Sequence, residues 1–407
     1  MDNIRFIPGS VTAPKGFRAA GIYAGLRHNK EKKDLALIAA EKECAAAAMY
    51  TINKVKGAPL LVTERHLANG RARAVICNSG NANTCNADGE EKARRMSELA
   101  AEALQISPED VIVASTGVIG QILPLEPIEA GIVPLAAALS KEGASDAAQA
   151  IMTTDTHPKE YAVEFTLSGV TCRIGGIAKG SGMIHPNMAT MLGFLTTDAD
   201  VSPEMLRKAL CSVVPNTFNM ISVDGDTSTN DMVCLMASGL AGNPLIGAGG
   251  EDYEAFCAAL YVLCEAISRD LAGDGEGATK LLECELVGAK TDDQAKVVAK
   301  SIICSSLVKA AMFGKDANWG RVLCAIGYAP VEVDVTKVFV SFRSKAGEVV
   351  VCENGAGVPF SEEHAAQVLG EHDITIYVDL RAGDAQAKAW GCDLTYDYVR
   401  INGDYRT

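Results

Sequence analysis

The sequence has no long hydrophobic run and few aromatic residues for its length. Aromatic residues make up 5% of the 407 residues, and no apolar stretch approaches the roughly 18 to 20 residues that a membrane helix needs. Residues 1–10 also lack the basic and apolar regions of a secretory signal peptide. These absences predict a cytoplasmic protein that does not cross a membrane.

Basic residues are in the minority. The chain has 37 Lys and Arg against 51 Asp and Glu, a formal net charge of −14, which repels phosphate backbones. No segment gathers basic and aromatic residues into a nucleic-acid footprint, and neither a P-loop nor a G-x-G-x-x-G motif after a strand is present. We therefore expect small-molecule partners and no nucleic acid.

Metal-binding motifs are also missing. The sequence has no C-x-x-C and no H-E-x-x-H motif, and its six histidines lie far apart. The thirteen cysteines are odd in number and scattered over a chain that is too long to need disulfide staples. We expect reduced core thiols, no metal site and no cofactor.

Strand-like and helix-like segments alternate along the chain, which predicts an α/β fold. Apolar runs indicate buried strands at 36–40, 74–78 and 111–115, with a helix at 91–104 between the last two. Later segments predict helices at 203–214, 251–271 and 292–313, and strands at 331–342, 348–352, 373–380 and within 389–401. Two domains are expected, with the weakest places for a boundary at 184–186 and 286–291.

The segment 175–199 is unusual, because it holds five glycines and one proline among Met, Thr and Ala. Such a segment favours neither helix nor strand, so its backbone must serve a purpose that needs permissive dihedral angles. Threonine becomes an effective nucleophile when its own α-amine acts as a base, which requires a new amino terminus at the threonine. Ala189-Thr190 is a candidate for that cleavage, although an isolated Ala-Thr pair is also typical of an ordinary buried loop.

Eight sequence segments, in order along nearly the whole chain, resemble the ornithine acetyltransferases, the glutamate N-acetyltransferases of arginine biosynthesis. The segments that carry the self-cleavage signature are 179–184 (KGSGMI) and 186–192 (PNMATML). The others are 77–83 (CNSGNAN), 115–120 (STGVIG), 153–155 (TTD), 222–231 (SVDGDTSTND), 273–280 (GDGEGATK) and 314–321 (GKDANWGR). An ordered match of this length is far more specific than any single motif.

The resemblance implies an enzyme that cleaves itself at Ala189-Thr190 into an amino-terminal chain, 1–189, and a carboxyl-terminal chain, 190–407. Thr190 would take the acetyl group from N-acetylornithine, release ornithine and pass the acetyl group to glutamate. The implied fold is a layered α-β-β-α sandwich with a smaller carboxyl-terminal α/β domain, which we place from about 286–291 onward. Two cleaved protomers are expected to associate as a heterotetramer.

The resemblance also assigns site residues. Thr116, through its hydroxyl, and Gly117, through its N–H, are the expected oxyanion donors, and their place after an apolar strand agrees with this, although an ordinary turn fits equally. The implied substrate-binding residues are Thr153, Lys179, Thr190, Glu276, Asn402 and Thr407. Lys179 is the natural partner for a substrate carboxylate. The tail from residue 396 is expected to be anchored as a strand, and the Asp-rich segment 224–231 to make local hydrogen bonds near the site.

Two alternatives remain at this stage. A peptidase or amidohydrolase that uses water as acceptor shares the fold and the nucleophile, and the density of matches outside the cleavage segment favours transfer over it. A silent binding protein that never cleaves is the second, against which the intact Ala189-Thr190 pair argues. The sequence leaves open whether acetyl-CoA serves as a second acetyl donor.

Overall fold

The computed structural model describes residues 3–185 and 191–403. The strands are β1 (Arg5–Phe6), β2 (Phe17–Ile22), β3 (Leu35–Tyr50), β4 (Arg71–Asn78), β5 (Val111–Ser115), β6 (Lys159–Leu167), β7 (Val170–Lys179), β8 (Leu192–Thr197), β9 (Ile221–Ser222), β10 (Met232–Ala237), β11 (Leu281–Ala289), β12 (Phe339–Ser344), β13 (Gly347–Glu353), β14 (Ala356–Gly357), β15 (Asp373–Asp379) and β16 (Ala385–Cys392). The helices are α1 (Ala58–His66), α2 (Gly89–Leu104), α3 (Glu126–Ala137), α4 (Ala144–Ile151), α5 (Pro203–Val213), α6 (Glu251–Gly273), α7 (Asp292–Cys304), α8 (Ser306–Phe313), α9 (Trp319–Gly327), α10 (Glu362–Val368) and α11 (Tyr396–Gly403).

One long strand, β3, organises the amino-terminal part of the fold. Its first half pairs with β2 and β4, while its second half, from Ala45 to Tyr50, pairs with β10. The register against β4 shifts between Ala39 and Cys44, as expected where a strand bends. The hydrogen-bonded sheet therefore continues from one layer, β2-β3-β4-β5, into a second layer, β1-β6-β7-β8-β10.

Three apolar cores separate four layers. The first core lies between helices α1, α2 and α3 and the outer face of the β2-β3-β4-β5 layer. The second lies between the two β layers and includes α4, and the third covers the other face of β6-β7-β8-β10 with α5 and α6. The predicted α-β-β-α sandwich is confirmed. Side chains of successive strand residues alternate between these cores, as the pleat requires.

A second sheet forms the smaller carboxyl-terminal α/β unit, with strand order β14-β13-β12-β15-β11-β16-β9. Helix α6 contacts β6 and β7 of the first sheet and β11 and β16 of the second, so it joins the two units. Residues 286–291 comprise the end of β11 and the connection to α7. This segment therefore lies within the second unit and not at its boundary. The chain first enters the second sheet at β9, returns to the first sheet at β10 and passes to the second sheet again through α6.

Most predicted elements are present near their expected bounds, but four differ. The strand expected over 36–40 continues to Tyr50 as β3. The helix expected over 292–313 is two helices, because Ser305 ends α7 and its side chain accepts a hydrogen bond from the Val308 N–H as the cap of α8. The strand expected from residue 331 begins only at Phe339.

The expected strand at the carboxyl end is wrong beyond Cys392. Thr395 Oγ1 accepts a hydrogen bond of 3.3 Å from the Tyr398 N–H, which is the arrangement of a helix N-cap, and residues 396–403 form α11. Apolar residues that alternate over so short a segment fit a helix and a strand alike.

Within the described chain, no helix is long and apolar enough to span a bilayer.

Candidate active site

A cleft of about 690 Å³ opens at the ends of several strands of the first sheet. The described residues that the sequence analysis assigned to the site all line it: Thr116, Gly117, Thr153, Lys179, Glu276 and Asn402. They come from separate strand ends and loops, and Glu276 and Asn402 follow Thr116 by 160 residues or more. The fold therefore brings predicted site residues that are far apart in the sequence together in one cavity.

Thr116 and Gly117 directly follow β5, as predicted. The Thr116 N–H donates to the Asn78 carbonyl at 2.9 Å, which continues the strand pairing to the edge of the cleft. Gly117 has φ of +126°, a conformation that only glycine adopts readily. A Cβ there would lie 2.8 Å from the Gly80 carbonyl carbon, so the backbone at this position lies too close for any side chain.

The Gly117 N–H makes no hydrogen bond to any residue that the structure describes. A buried or half-buried amide normally has a partner, so an unpaired N–H at the wall of a cleft is available to a ligand oxygen. The neighbouring Thr116 Oγ1 accepts a hydrogen bond from Lys179 Nζ at 3.4 Å. These two groups form a compact set of polar donors at one end of the cleft.

Lys179 is the last residue of β7 and is 8% exposed. Burial lowers the pKa of its ammonium group, and the nearby Asp155 carboxylate offsets only part of that effect. A cation held in a water-poor cavity interacts strongly with an anionic ligand, because the local dielectric constant is low. Lys179 thus presents a buried cation to the cleft, and the substrate carboxylate that the resemblance implies as its partner stays a prediction.

The buried carboxylate of Asp155 links the segment at Thr153 to the segment at Gly180. Asp155 Oδ2 accepts from the Thr153 N–H at 2.9 Å, and Oδ1 accepts from the Gly180 N–H at 2.7 Å. Lys159 Nζ donates to the same Oδ1 at 2.7 Å and also contacts Asp274. Although burial alone raises the pKa of Asp155, the two lysines and these hydrogen bonds lower it below its ordinary value.

Glu276 and Asn402 form the opposite end of the cleft. The Glu276 N–H donates to the Ser181 carbonyl at 3.0 Å, and Asn402 Nδ2 donates to Glu276 Oε2 at 2.7 Å. A Cβ at Gly182 would lie 2.4 Å from the Glu276 carboxyl group, so glycine is needed for this approach. Glu276 follows the end of α6, as predicted, and Asn402 lies on α11.

Comparison with known proteins identifies the family of this chain. Residues 18–407 match the ArgJ family. The chain belongs to the ArgJ family. It is 52% identical over 406 residues to the arginine biosynthesis bifunctional protein ArgJ of Symbiobacterium thermophilum, and the match covers 99% of this chain and 100% of the relative. It is 50% identical to the arginine biosynthesis bifunctional protein ArgJ of Caldanaerobacter subterraneus, with the same coverage of both chains.

A solved structure agrees with this assignment. The crystal structure of the arginine biosynthesis bifunctional protein ArgJ from Bacillus halodurans is 49% identical, with a TM-score of 0.50. The match covers 99% of that solved chain but 53% of this one. The solved ArgJ polypeptide is therefore about half as long as this chain.

Sequence reasoning did not name Asn230 as a residue of this site, because it assigned the whole segment 224–231 to local hydrogen bonding. Asn230 Nδ2 donates to the Ser115 carbonyl at 2.9 Å and to the Ala82 carbonyl at 2.6 Å. Its Oδ1 accepts from the Thr84 hydroxyl at 2.6 Å. Asn230 thus fixes the backbone that leads into Thr116, which confirms the expected hydrogen bonding. The signal was the unusual density of Asp, Thr and Asn next to a buried strand.

Other predicted positions lie outside the described residues. These are Ala189, Thr190 and Thr407. Met191, which follows Thr190 in the chain, lines the cleft, is 2% exposed and accepts a hydrogen bond of 3.0 Å at its carbonyl from the Met232 N–H. The peptide bond expected to be cleaved therefore precedes a residue that belongs to this cavity.

No cluster of three His, Cys, Asp or Glu residues suited to a metal ion occurs among the described residues. All thirteen cysteines are free thiols, as predicted, but only eight are buried. The expected core position is wrong for Cys85, Cys211 and Cys324, which are exposed, and for the half-buried Cys257 and Cys304.

Proposed function

We propose that this ArgJ-family chain is an acyltransferase that moves the acetyl group of N2-acetyl-L-ornithine to L-glutamate through an acetyl ester of Thr190. The observation that carries the proposal is that one cleft is lined by the oxyanion candidates Thr116 and Gly117, the buried Lys179 and the Glu276 carboxylate. Met191, which follows Thr190 in the chain, lines the same cleft. The products of the two half-reactions are L-ornithine and N-acetyl-L-glutamate, intermediates of cyclic arginine biosynthesis. The names of the relatives, arginine biosynthesis proteins, support the same reaction.

The cleft suits an acylated amino acid in size and polarity. A volume of about 690 Å³ lies in the range of small-molecule sites. Lys179, buried at one side, pairs with the α-carboxylate that both substrates carry. Glu276 and Asn402 meet the far end of the side chain, where Glu276 accepts from the ornithine ammonium group and the Asn402 amide donates to the glutamate carboxylate. Thr153, held by Asp155, completes the wall.

The chemistry needs stabilisation of a tetrahedral oxyanion in each half-reaction. The Gly117 N–H and the Thr116 hydroxyl supply two donors at a rigid strand end, where they do not have to reorganise during the reaction. Thr190 supplies the nucleophile, and its freed α-amine acts as the base. Asn402 and Thr407 bring the carboxyl-terminal tail to the ligand.

Self-cleavage at Ala189-Thr190 produces the active form in this proposal. Residues 190–407 are 218 of the 407 residues, about 54%, and the solved ArgJ chain from Bacillus halodurans corresponds to 53% of this chain. The two fragments would stay associated, because β10 and β3 pair across the cleavage point, as do β7 and β8. Two such protomers form the heterotetramer that the family resemblance implies.

A second acetyl donor is part of the proposal. The relatives are named bifunctional, which favours acetyl-CoA as an additional substrate that makes the first acetylglutamate. The acetyl group passes directly between Thr190 and the small molecules, so no cofactor is required. A cytoplasmic location follows from the pathway, which uses cytoplasmic metabolites.

Intact-mass spectrometry and an acetyl-transfer assay test the proposal together. Wild-type protein should give two fragments that meet between Ala189 and Thr190, and it should transfer acetyl from N-acetylornithine to glutamate. Thr190→Ala should remain one full-length chain without activity, while Thr190→Ser, which keeps a hydroxyl nucleophile, should cleave and retain measurable transfer. A full-length, active wild-type chain would contradict the nucleophile, and cleavage without acetyl transfer would contradict the reaction.

A further inference from the structure

A buried carboxyl group of the cleft has no role in the reaction described above. Asp231 directly precedes β10, whose parallel pairing with β8 sets Met232 opposite Leu192. By this register Asp231 lies level with Met191, the residue after Thr190. Asp231 lines the cleft and is 2% exposed. It is therefore a titratable group next to the start of β8, the strand that follows the proposed nucleophile in the chain.

The hydrogen bonding of Asp231 is incomplete. Its Oδ2 atom is buried and has no partner within the described chain, which is rare for a buried oxygen in a folded protein. Asp155 and Asp274 are buried too, but lysine and backbone N–H groups satisfy them. An unsatisfied buried oxygen at a ligand cleft is a place where a substrate donor or a mobile proton is expected.

The surroundings of Asp231 favour its neutral form. Burial raises the pKa of Asp231 well above its ordinary range, and the nearby Lys179 and a hydrogen bond from Ser228 offset only part of that effect. Asp155, Lys159 and Arg27 also influence the charge of Lys179. Lys159 pairs with Asp155 and Asp274, and Arg27 donates to the Ser79 carbonyl. On the strand that follows Asp231 the next titratable group is the buried thiol of Cys234, and Glu276 lies on another wall of the cleft.

Acetyl transfer from an amide needs a proton donor. The amine that leaves an amide is strongly basic, so the C–N bond breaks readily only if the nitrogen is protonated at the same time. The freed α-amine of Thr190 takes the hydroxyl proton. A second group whose pKa is raised by burial and that lies level with Met191, the residue after the nucleophile, divides these two tasks, and such pairs of groups with separated pKa values are typical of acid-base sites.

We propose, on the basis of the proposed function, that Asp231 is a further catalytic residue, the acid that protonates the departing ornithine nitrogen and later accepts a proton from glutamate. In the first half-reaction the Thr190 oxygen bonds to the acetyl carbon and its proton moves to the Thr190 α-amine. The C–N bond then breaks, the nitrogen keeps the electron pair and takes the Asp231 proton, and ornithine leaves.

The second half-reaction restores every proton. The neutral amine of glutamate bonds to the ester carbon and its surplus proton passes to the Asp231 carboxylate. The bond from carbon to the Thr190 oxygen breaks, and that oxygen recovers its proton from the Thr190 ammonium group. Between the two half-reactions the Asp231 carboxylate is stabilised by the adjacent Lys179 cation.

Donors with different leaving groups test this role. An amide donor, N-acetylornithine, needs an acid, whereas p-nitrophenyl acetate releases a stable phenolate that needs none. In a single turnover, Asp231→Asn should slow ornithine release by roughly 10²- to 10³-fold while p-nitrophenol release stays within about threefold of wild type. Equal slowing with both donors, or no slowing with either, would overturn the proposal.

A matched control separates chemistry from folding. Asp198 is also buried, and burial raises its pKa, but its oxygens accept from the Arg173 and Lys15 N–H groups and it does not line the cleft. Asp198→Asn should therefore leave the ratio of amide to ester rates unchanged. A change in that ratio as large as that of Asp231→Asn would also overturn the proposal.

A measurement on wild-type protein decides the case if Asp231→Asn does not fold or does not cleave. Since the acid must be protonated, the ratio of amide to ester acylation rates, measured at saturating concentrations of both donors so that binding at Lys179 does not enter, should fall as the pH rises through the pKa of Asp231. A ratio that is constant between pH 6 and pH 10 would overturn the proposal. If wild-type protein reacts with the ester but never with N-acetylornithine, the proposed function fails instead, which is a different result.

Discussion

At the scale of single residues, Gly117 is where backbone conformation and chemistry meet most closely. Its φ of +126° disfavours a side chain, and a Cβ would clash with backbone atoms of Gly80 and Asn81. Gly117→Ala should therefore displace the N–H that we assign to the oxyanion and lower kcat by roughly 10²- to 10³-fold, measured with N-acetylornithine and glutamate.

Gly120, in the same loop, provides the matched control. It also has a positive φ, +79°, but a Cβ there meets nothing within 4 Å. Gly120→Ala introduces comparable backbone strain without the clash, so its kcat should stay within a few-fold of wild type. Equal losses in both variants would mean that strain in the loop, not the position of the Gly117 N–H, controls the rate.

Lys179 gives a prediction about binding and pH. Replacing it with Met removes a charged hydrogen bond to the substrate carboxylate, worth about 1.5–3 kcal/mol, so KM for N-acetylornithine should rise roughly 10- to 100-fold. Burial lowers the pKa of Lys179, and only its protonated form attracts an anion. In wild type, KM should therefore rise as the pH rises through that lowered pKa.

A donor without a carboxylate is the control for Lys179. N-acetylputrescine keeps the acetyl amide and the distal ammonium group but lacks the α-carboxylate. Lys179→Met should change KM for N-acetylputrescine little, and the pH dependence of KM should be weak for this donor. A large loss with N-acetylputrescine would show that Lys179 acts on the reaction and not on the carboxylate.

At the scale of elements, α11 shows how the tail contributes to the site. Thr395 Oγ1 donates to the Gly277 carbonyl at 2.7 Å, and Asn402 Nδ2 donates to Glu276 at 2.7 Å. The helix is otherwise exposed, with no buried residue. Deleting residues 402–407 should lower kcat/KM by at least tenfold while the midpoint of thermal unfolding falls by no more than a few degrees.

Asn402→Asp, which sets two carboxylates together, should weaken glutamate binding more than Asn402→Ala.

The elements that the sequence predicted well are those whose local pattern is unambiguous. The apolar run at 111–115 is a buried strand on every residue, and the periodic segment before it is α2. The tail was assigned to the wrong class because alternation over six residues fits both periods. The bend of β3, which joins two layers, depends on pairing with β10 nearly 200 residues away, and local periodicity carries no information about such pairing.

The site was predictable for a different reason. Physical reasoning from the residues alone found the glycine-rich segment 175–199, whereas the family resemblance assigned Thr116, Gly117 and Lys179. Without the resemblance, the strand end at Thr116 could not be told from an ordinary turn. Resemblance supplied Glu276 and Asn402, and the structure places both in the cleft with Lys179. Asp231 was not singled out, because one more Asp in an acidic loop has no local feature that reveals burial.

At the scale of the whole molecule, an ion network links the segments that self-cleavage would separate. Lys159 has no exposed surface and contacts Asp155, 4 residues before it, and Asp274, on the other side of the proposed cleavage point. Ser181 Oγ donates to the Asp274 carbonyl at 2.6 Å, and the Ser181 carbonyl accepts from Glu276. The network therefore holds the cation side of the cleft against the Glu276 side.

Removing the cation from this network should be strongly destabilising. Lys159→Met leaves two buried carboxylates without their shared partner, which costs about 3–5 kcal/mol, measured as the free energy of unfolding in urea. Lys208→Met, which breaks an exposed pair with Glu204, is the control and should cost less than about 1 kcal/mol. Similar losses in the two variants would contradict the role of the buried network.

The pH dependence of that loss follows from the same charges. In wild type the lysines lower the pKa of Asp155, so its contribution to stability is present above the unfolded pKa of about 4 and is lost as the pH falls through the lower folded value. In Lys159→Met, the loss of one of the two lysines that lower the pKa of Asp155 lets burial raise it, so protonation relieves the unpaired charge. The difference in unfolding free energy between wild type and Lys159→Met should therefore be smaller at pH 5 than at pH 8. A difference that is larger at pH 5 would show that the lost stability comes from packing and not from charge.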